Sequence, residues 1–187
     1  IVSLASGPAI ELKIFLAEHP QLKHQVELIL VDQDLEALET AHSSLSKEIL
    51  NRSDGHLIKL SCLHFSIGQI ISPSGESERR LISDVLSGVD LIYSMGLFDY
   101  LQRAVALKLM RNVYPLLIPN GRMYIGNLER VSDCSWAMEY AVHWSLIYRT
   151  REDMLDLSTR MRLPVDKAIV KRDASGHCLF LDIHKPA

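Results

Sequence analysis

A run of small residues, Ala5-Ser6-Gly7-Pro8-Ala9, follows one apolar stretch and precedes a helical pattern. Small side chains at such a turn let backbone approach a ligand closely, and a helix N-terminus there offers N–H groups. The same stretch also reads as a tight strand-to-helix turn that binds nothing. A second apolar stretch, Val26–Val31, ends in Asp32, with Gln33 and Asp34 next. A carboxylate at that tip lies beside the first loop and can accept two hydrogen bonds from a ribose diol. Asp34 is better placed to cap the following helix, which leaves Asp32 for a ligand. Toward the C-terminus, His143, Trp144, Tyr148 and Arg149 lie close in sequence. A neutral imidazole can deprotonate a hydroxyl, and a guanidinium can hold a carboxylate. A histidine packed on Trp144 is the bland alternative for His143, and Trp136 and Tyr140 read as packing residues.

These groups need a frame that brings distant loops together. Ile1–Ala5, Val26–Val31, Val89–Ser94 and Arg122–Gly126 are short apolar runs of the kind that form parallel strands buried on both faces, and Leu57–Leu63 is a fifth. Helical patterns lie between them. Ala9–Glu18 carries Ile10, Ile14 and Ala17 on one stripe, and Leu35–Leu50 carries Leu35, Leu38, Leu45 and Ile49. Tyr100–Leu116 has Leu101, Val105, Leu109 and Val113 in a ridge, stopped by the turn Ile118-Pro119-Asn120-Gly121. Asp99 either caps that helix or faces a ligand. Ala168–Arg172 and His177–His184, joined by Asp173-Ala174-Ser175-Gly176, read as a hairpin. The alternation predicts an α/β fold, a doubly wound, mostly parallel sheet with helices on both faces, finishing in an antiparallel hairpin. Ser72–Ser77 reads as a surface loop, and no domain boundary is visible, so 1–187 is expected to be a single domain.

Composition narrows the partners. The 187 residues carry a formal net charge of −3, with 48% hydrophobic and 23% charged residues. No basic excess is available to displace counterions from nucleic acid, so no nucleic-acid partner is expected. Basic residues at Arg79-Arg80 and Arg149–Arg151 are interleaved with acids and read as solvated faces. Three scattered cysteines, Cys62, Cys134 and Cys178, give neither a zinc site nor a disulfide framework, and the histidines lack ligand spacing. No metal, no membrane insertion and a cytoplasmic location are the expectations.

The order of these features resembles class I S-adenosylmethionine-dependent methyltransferases. That family carries an acidic residue and then G-x-G-x-G after its first strand, and an acidic residue ending its second. Here the first motif stands as Ser3-Leu4-Ala5-Ser6-Gly7-Pro8-Ala9: the central glycine survives, Ser3 replaces the acid, and alanines replace the flanking glycines. Asp90–Ser94 with Met95-Gly96-Leu97-Phe98-Asp99-Tyr100 is similar to the family's fourth strand and its loop, and Ile118–Gly121 to its turn before strand five. The closing hairpin is similar to its last two strands. The resemblance implies a seven-stranded sheet of order 3-2-1-4-5-7-6. Ile92–Leu101, Ile125-Gly126-Asn127 and Trp144–Arg149 further resemble a bacterial subgroup associated with making 3-hydroxypalmitic acid methyl ester, an extracellular factor. Family members usually have helices before the first strand, so the chain is expected to lack N-terminal helices.

The resemblance implies S-adenosylmethionine as cofactor and a small-molecule acceptor, with a homodimer as a further expectation. Ala5, Ser6 and Gly7 would hold the methionine portion and Asp32 the ribose, with Gln33 beside it in the cofactor site; His64-Phe65-Ser66 would flank the adenine, with Phe65 or Ile67 as an apolar wall. Ser94 and Met95 would line the donor pocket. A carboxylate acceptor is already ionised and needs no general base; Arg149, Tyr148 and Asn127 would position it. For a hydroxyl acceptor, His143 would be the base. Two rival readings stand beside this one. A nicotinamide-dependent oxidoreductase shares the glycine loop and strand-end acid but needs G-x-G-x-x-G, which is absent. A non-catalytic module that binds the cofactor would explain the missing glycines.

Overall fold

The computed structural model describes residues 1–130 and 145–187. Its strands are β1 (Val2–Leu4), β2 (Val26–Asp32), β3 (Ile58–His64), β4 (Val89–Ser94), β5 (Leu117–Leu128), β6 (Lys167–Arg172) and β7 (Cys178–His184). Its α-helices are α1 (Ile10–Glu18), α2 (Leu35–Leu50), α3 (Ile67–Ile71), α4 (Glu76–Leu86), α5 (Arg103–Val113) and α6 (Arg151–Arg160). The seven strands form one sheet of order β3-β2-β1-β4-β5-β7-β6, mostly parallel, with β7 antiparallel to both its neighbours. This is the expected architecture. The chain divides into two compact units, Ile1–Leu86 and Ser87–Ala187. Among the described residues, no helix is long and apolar enough to cross a membrane.

In the first unit β2 is the spine. Leu28, Ile29, Leu30 and Val31 are all buried, as expected of a strand covered on both faces. It pairs in parallel with β1 (Leu4 opposite Val31) and β3 (Asp32 opposite His64), which sets the tips of β2 and β3 side by side. Asp34 caps α2 as expected, accepting from the amides of Glu36 and Ala37 at 3.0 and 3.1 Å. For α1 the expected stripe is not the buried one: Ile10 and Ile14 are 59% and 52% exposed, while Leu12 and Leu16 are buried. Apolar residues surround this helix, so periodicity could not choose its inward face. A buried guanidinium secures the far end of α1. Arg52 donates to the carbonyls of Leu16 and His19 and pairs with Asp54, whose carboxylate also accepts the Leu22 amide. The Arg52 hydrogen bond and the Leu22 amide hold the Asp54 carboxyl below the usual carboxylate range.

The expected loop over Ser72–Ser77 gives way to α4 at Glu76. Glu78 on that helix accepts from the amide and hydroxyl of Ser74 and from the Gln69 side chain, which holds the turn.

In the second unit β5 starts at Leu117, earlier than expected, because the turn at Pro119–Gly121 is absorbed into the strand as an irregularity opposite Val89–Leu91. Asn120 takes a positive φ of 62°, and a Cβ on Gly121 would lie 2.8 Å from the Ile118 carbonyl oxygen. Met123, Ile125, Leu179, Leu181 and Ile183 form the buried face of β5 and β7. On the opposite face Asp182 is fully buried and pairs with Arg122 and Lys171. Burial pushes its carboxyl up, but the hydrogen bonds from Arg122 and Lys171 prevail and leave it below the usual range. Sequence periodicity did not foresee α6, which opens on a reciprocal capping box between Thr150 and Asp153.

Candidate functional site

The loop from β1 to α1 alternates in handedness. Ala5, Gly7 and Ala9 have φ of 51°, 52° and 49°, the left-handed region that strains any residue with a Cβ. Ser6 donates its amide to the Val31 carbonyl at 3.2 Å, and Ala9 donates to Ser6 at 3.0 Å. Between them the Gly7 amide donates to Asp32 Oδ2 at 2.7 Å, while the Asp34 amide donates to Oδ1 at 2.9 Å. Asp32 therefore organises the loop at its own strand tip, and it is 9% exposed. A carboxylate oxygen accepts more than one hydrogen bond, so each keeps capacity for a diol hydroxyl. A Cβ on Gly7 would meet nothing within 4 Å, which leaves open space against the backbone there.

The β3 tip stands beside Asp32. Phe65 is half-buried and donates its amide to the Asp32 carbonyl at 3.0 Å. Gln33 is exposed, and its carbonyl oxygen lies 2.9 Å from His64 Nε2. Ser66 is occupied otherwise: its hydroxyl and amide form a capping box with Gln69 at the start of α3. The first unit thus gathers Ala5, Ser6, Gly7, Asp32, Gln33 and Phe65 around one strand-tip region.

In the second unit Ser94 ends β4 at 1% exposure, and its hydroxyl meets no hydrogen-bond partner among the described residues. Met95, 41% exposed, follows it. The turn lies tightly on β5, because a Cβ on Gly126 would come within 3.0 Å of the Met95 carbonyl oxygen and of the Phe180 ring. Gly126 is needed for that approach.

Arg149 and Asn127, the expected acceptor ligands, lie inside the protein. Asn127 is fully buried and donates to the carbonyls of Leu128 and Ile147, each at 2.9 Å. Arg149 is 5% exposed. Its guanidinium donates to Phe98 O at 2.6 Å, to Leu101 O at 2.5 Å and to Asn127 Oδ1. The groups offered to a carboxylate are thus taken up by oxygens of the protein, because a buried guanidinium demands acceptors wherever the fold supplies them. Asp99 neither caps α5, which starts at Arg103 with Gln102 as its cap, nor faces solvent. Its carboxylate accepts the Leu128 amide at 2.6 Å. Burial raises its pKa, against the pull of the Leu128 amide, its own amide and Arg149. Arg149 is lowered by the same burial, with Asp99 opposing.

Tyr148 is half-buried, and the Arg130 guanidinium sits 5.9 Å above its ring. Arg130 was not singled out from the sequence; its one signal was a basic residue just past a strand end. His143 lies outside the described residues, as do Trp136, Tyr140 and Trp144.

No family model matches the chain, and no curated protein matches it. Solved structures do. The chain is similar to a protein described as a possible exported protein from Bordetella parapertussis, at TM-score 0.68 and 17% identity, covering all of this chain and 61% of that one. It is similar to mitomycin 7-O-methyltransferase at TM-score 0.69 and 14% identity, covering 98% of this chain and 48% of that one. Magnesium protoporphyrin IX methyltransferase from Synechocystis, solved with bound SAH, matches at TM-score 0.64 and 7% identity, over 98% of this chain and 72% of that one. At such identities the likeness is one of fold. The chain spans 61% and 48% of the first two structures' lengths.

Proposed function

We propose that the chain binds S-adenosylmethionine and transfers its methyl group to a small-molecule acceptor. The observation that carries this reading is the β1–α1 loop: the three glycine positions of the family motif fall on Ala5, Gly7 and Ala9, and all three are left-handed. Two alanines hold a conformation that costs them energy, and backbone strain of this kind gathers at ligand-binding loops. Asp32 at the second strand tip anchors that loop and retains acceptor capacity for the ribose. The antiparallel β7 inserted between β5 and β6 argues against the dinucleotide-binding order, in which the sixth strand follows the fifth directly. The neighbours whose names identify them as methyltransferases share this fold, which supports the same assignment.

When bound, the cofactor supplies an electrophilic methyl on a sulfonium, so the reaction is an in-line displacement. The chain's tasks are to align and to exclude water. Ala5–Gly7 would present backbone to the methionine portion, Asp32 would accept from the ribose and Phe65 would lie along the adenine.

For the acceptor we assign the carboxylate of a hydroxy fatty acid, giving a methyl ester. The support is the resemblance of Ile92–Leu101 and Ile125–Asn127 to the ester-forming subgroup, together with the fact that a carboxylate needs no base to remove a proton. Incubation with methyl-labelled donor and a panel of 3-hydroxy fatty acids tests this. Label in a product released by mild base is expected. A base-stable labelled product would refute the carboxylate assignment.

A further inference from the structure

The segment Met95–Leu101 has only one short 3-10 turn, Phe98–Tyr100, yet it is held at every part of its length. At its start Met95 lies on Gly126. At its middle the Asp99 carboxylate takes the Leu128 amide, while the Asp99 carbonyl takes the Ile147 amide at 2.7 Å. At its end the Phe98 and Leu101 carbonyls both accept from Arg149. Arg149 is itself fixed by its amide, which donates to Leu128 O, and by Asn127. The carbonyls of the segment thus turn inward to a buried cation while Met95 and Tyr100 stay exposed, at 41% and 51%. One guanidinium bridges the two carbonyls through the two arms of its planar fork, Nη1 to Phe98 and Nη2 to Leu101. Meanwhile Ser94, at the base of the segment, keeps a buried hydroxyl without a partner among the described residues, and such a group carries a free-energy cost unless a ligand or water meets it.

We propose that Arg149 is a positioning residue, whose guanidinium fixes Met95–Leu101 and with it Ser94 and Met95 at the β4 tip in the arrangement that ligand binding requires. The proposal rests on the methyl-donor reading and adds to it a residue that touches no ligand. Arg149 acts through the Phe98 and Leu101 carbonyls, with Asp99 and Asn127 completing the lock around β5.

The test compares the native chain with Arg149→Met and Arg149→Lys by calorimetric titration with S-adenosylmethionine, at a temperature where thermal scans show each protein folded. Hydrogen exchange of residues 95–101 is followed in parallel. The expected result is faster exchange across 95–101 in Arg149→Met and donor binding weakened by about tenfold or more. Arg149→Lys, which keeps the charge but lacks the planar fork and its additional donors, should fall between. A folded Arg149→Met that binds the donor as tightly as the native chain overturns the proposal, even if its Tm is lower. Unchanged exchange in 95–101 overturns it as well. Absence of donor binding by the native chain overturns the donor reading itself and the ligand half of the proposal with it, whereas the exchange data still judge the lock.

Discussion

Replacing Ala5 by glycine should stabilise this protein, although glycine in general weakens a fold. Ala5 is held at φ 51°, where a residue with a Cβ is strained by about 1–2 kcal/mol. Glycine removes that strain but gives the unfolded chain more freedom, which offsets about 0.4–1 kcal/mol. The net is a gain of about 0.5 kcal/mol, or a rise in Tm of about 1–2 °C for a chain of this size. Ala9 separates the two effects. It has nearly the same φ, 49°, but its methyl is only 1% exposed. Losing that buried methyl costs about 0.8 kcal/mol more, so Ala9→Gly should be neutral or slightly destabilising. Gly7→Ala is the converse: nothing within 4 Å would obstruct the Cβ, so its cost is the backbone strain less the entropy regained, about 0.5 kcal/mol. Thermal unfolding of the three variants should rank Ala5→Gly above the native chain, Ala9→Gly near it and Gly7→Ala below it. Donor affinity in Ala5→Gly should stay within about twofold of native, since the backbone shape is kept. A Tm for Ala5→Gly below the native value would refute the claim that alanine is strained in this loop.

Three further perturbations test the second unit. Asp182 has its carboxyl below the usual range, so its stabilising contribution is present above the unfolded carboxylate pKa of about 3.9 and is lost as pH falls through the folded value. Asp182→Asn should cost about 1–3 kcal/mol at neutral pH and flatten the acid limb of stability against pH; an unchanged acid limb would count against the assignment. The Cys178 thiol is pushed up to about 11, first by burial and then by Asp99 and Asp173, so at pH 8 about one molecule in a thousand carries the thiolate. Iodoacetamide should leave Cys178 unmodified in the native protein and label it readily in urea, and rapid native labelling would contradict this. Gly126→Ala forces a Cβ to 3.0 Å from Met95 O and should destabilise by about 1–3 kcal/mol in urea unfolding, whereas a neutral result would mean the Met95 turn yields.

Strand positions were legible because a parallel strand buried on both faces must be apolar nearly throughout, and β2 and β4 have that character in the bare sequence. The hairpin was legible from its Asp-Ala-Ser-Gly turn. The inward face of α1 was not, because its apolar residues lie all round and tertiary packing chose Leu12 and Leu16. α6 was missed because its start is marked by a side-chain cap, Thr150 with Asp153, rather than by an apolar stripe. At the site, the Ala5–Ala9 loop and Asp32 could be picked out by position and residue type, but the hydrogen bond from Gly7 to Asp32 required coordinates. Arg149 and Asn127 show the limit most clearly. A polar residue after a strand reads alike whether it faces a ligand or carbonyls of its own chain, and burial alone distinguishes them.

The most direct test of the central claim is calorimetric titration of the chain with S-adenosylmethionine and S-adenosylhomocysteine, beside an Asp32→Ala variant that thermal scans show to be folded. The account predicts micromolar binding of both ligands by the native chain, weakened by about tenfold or more in the variant, which loses the ribose acceptor and the anchor of the Gly7 amide. Failure of either ligand to bind the native chain, or equal binding by Asp32→Ala, would contradict it.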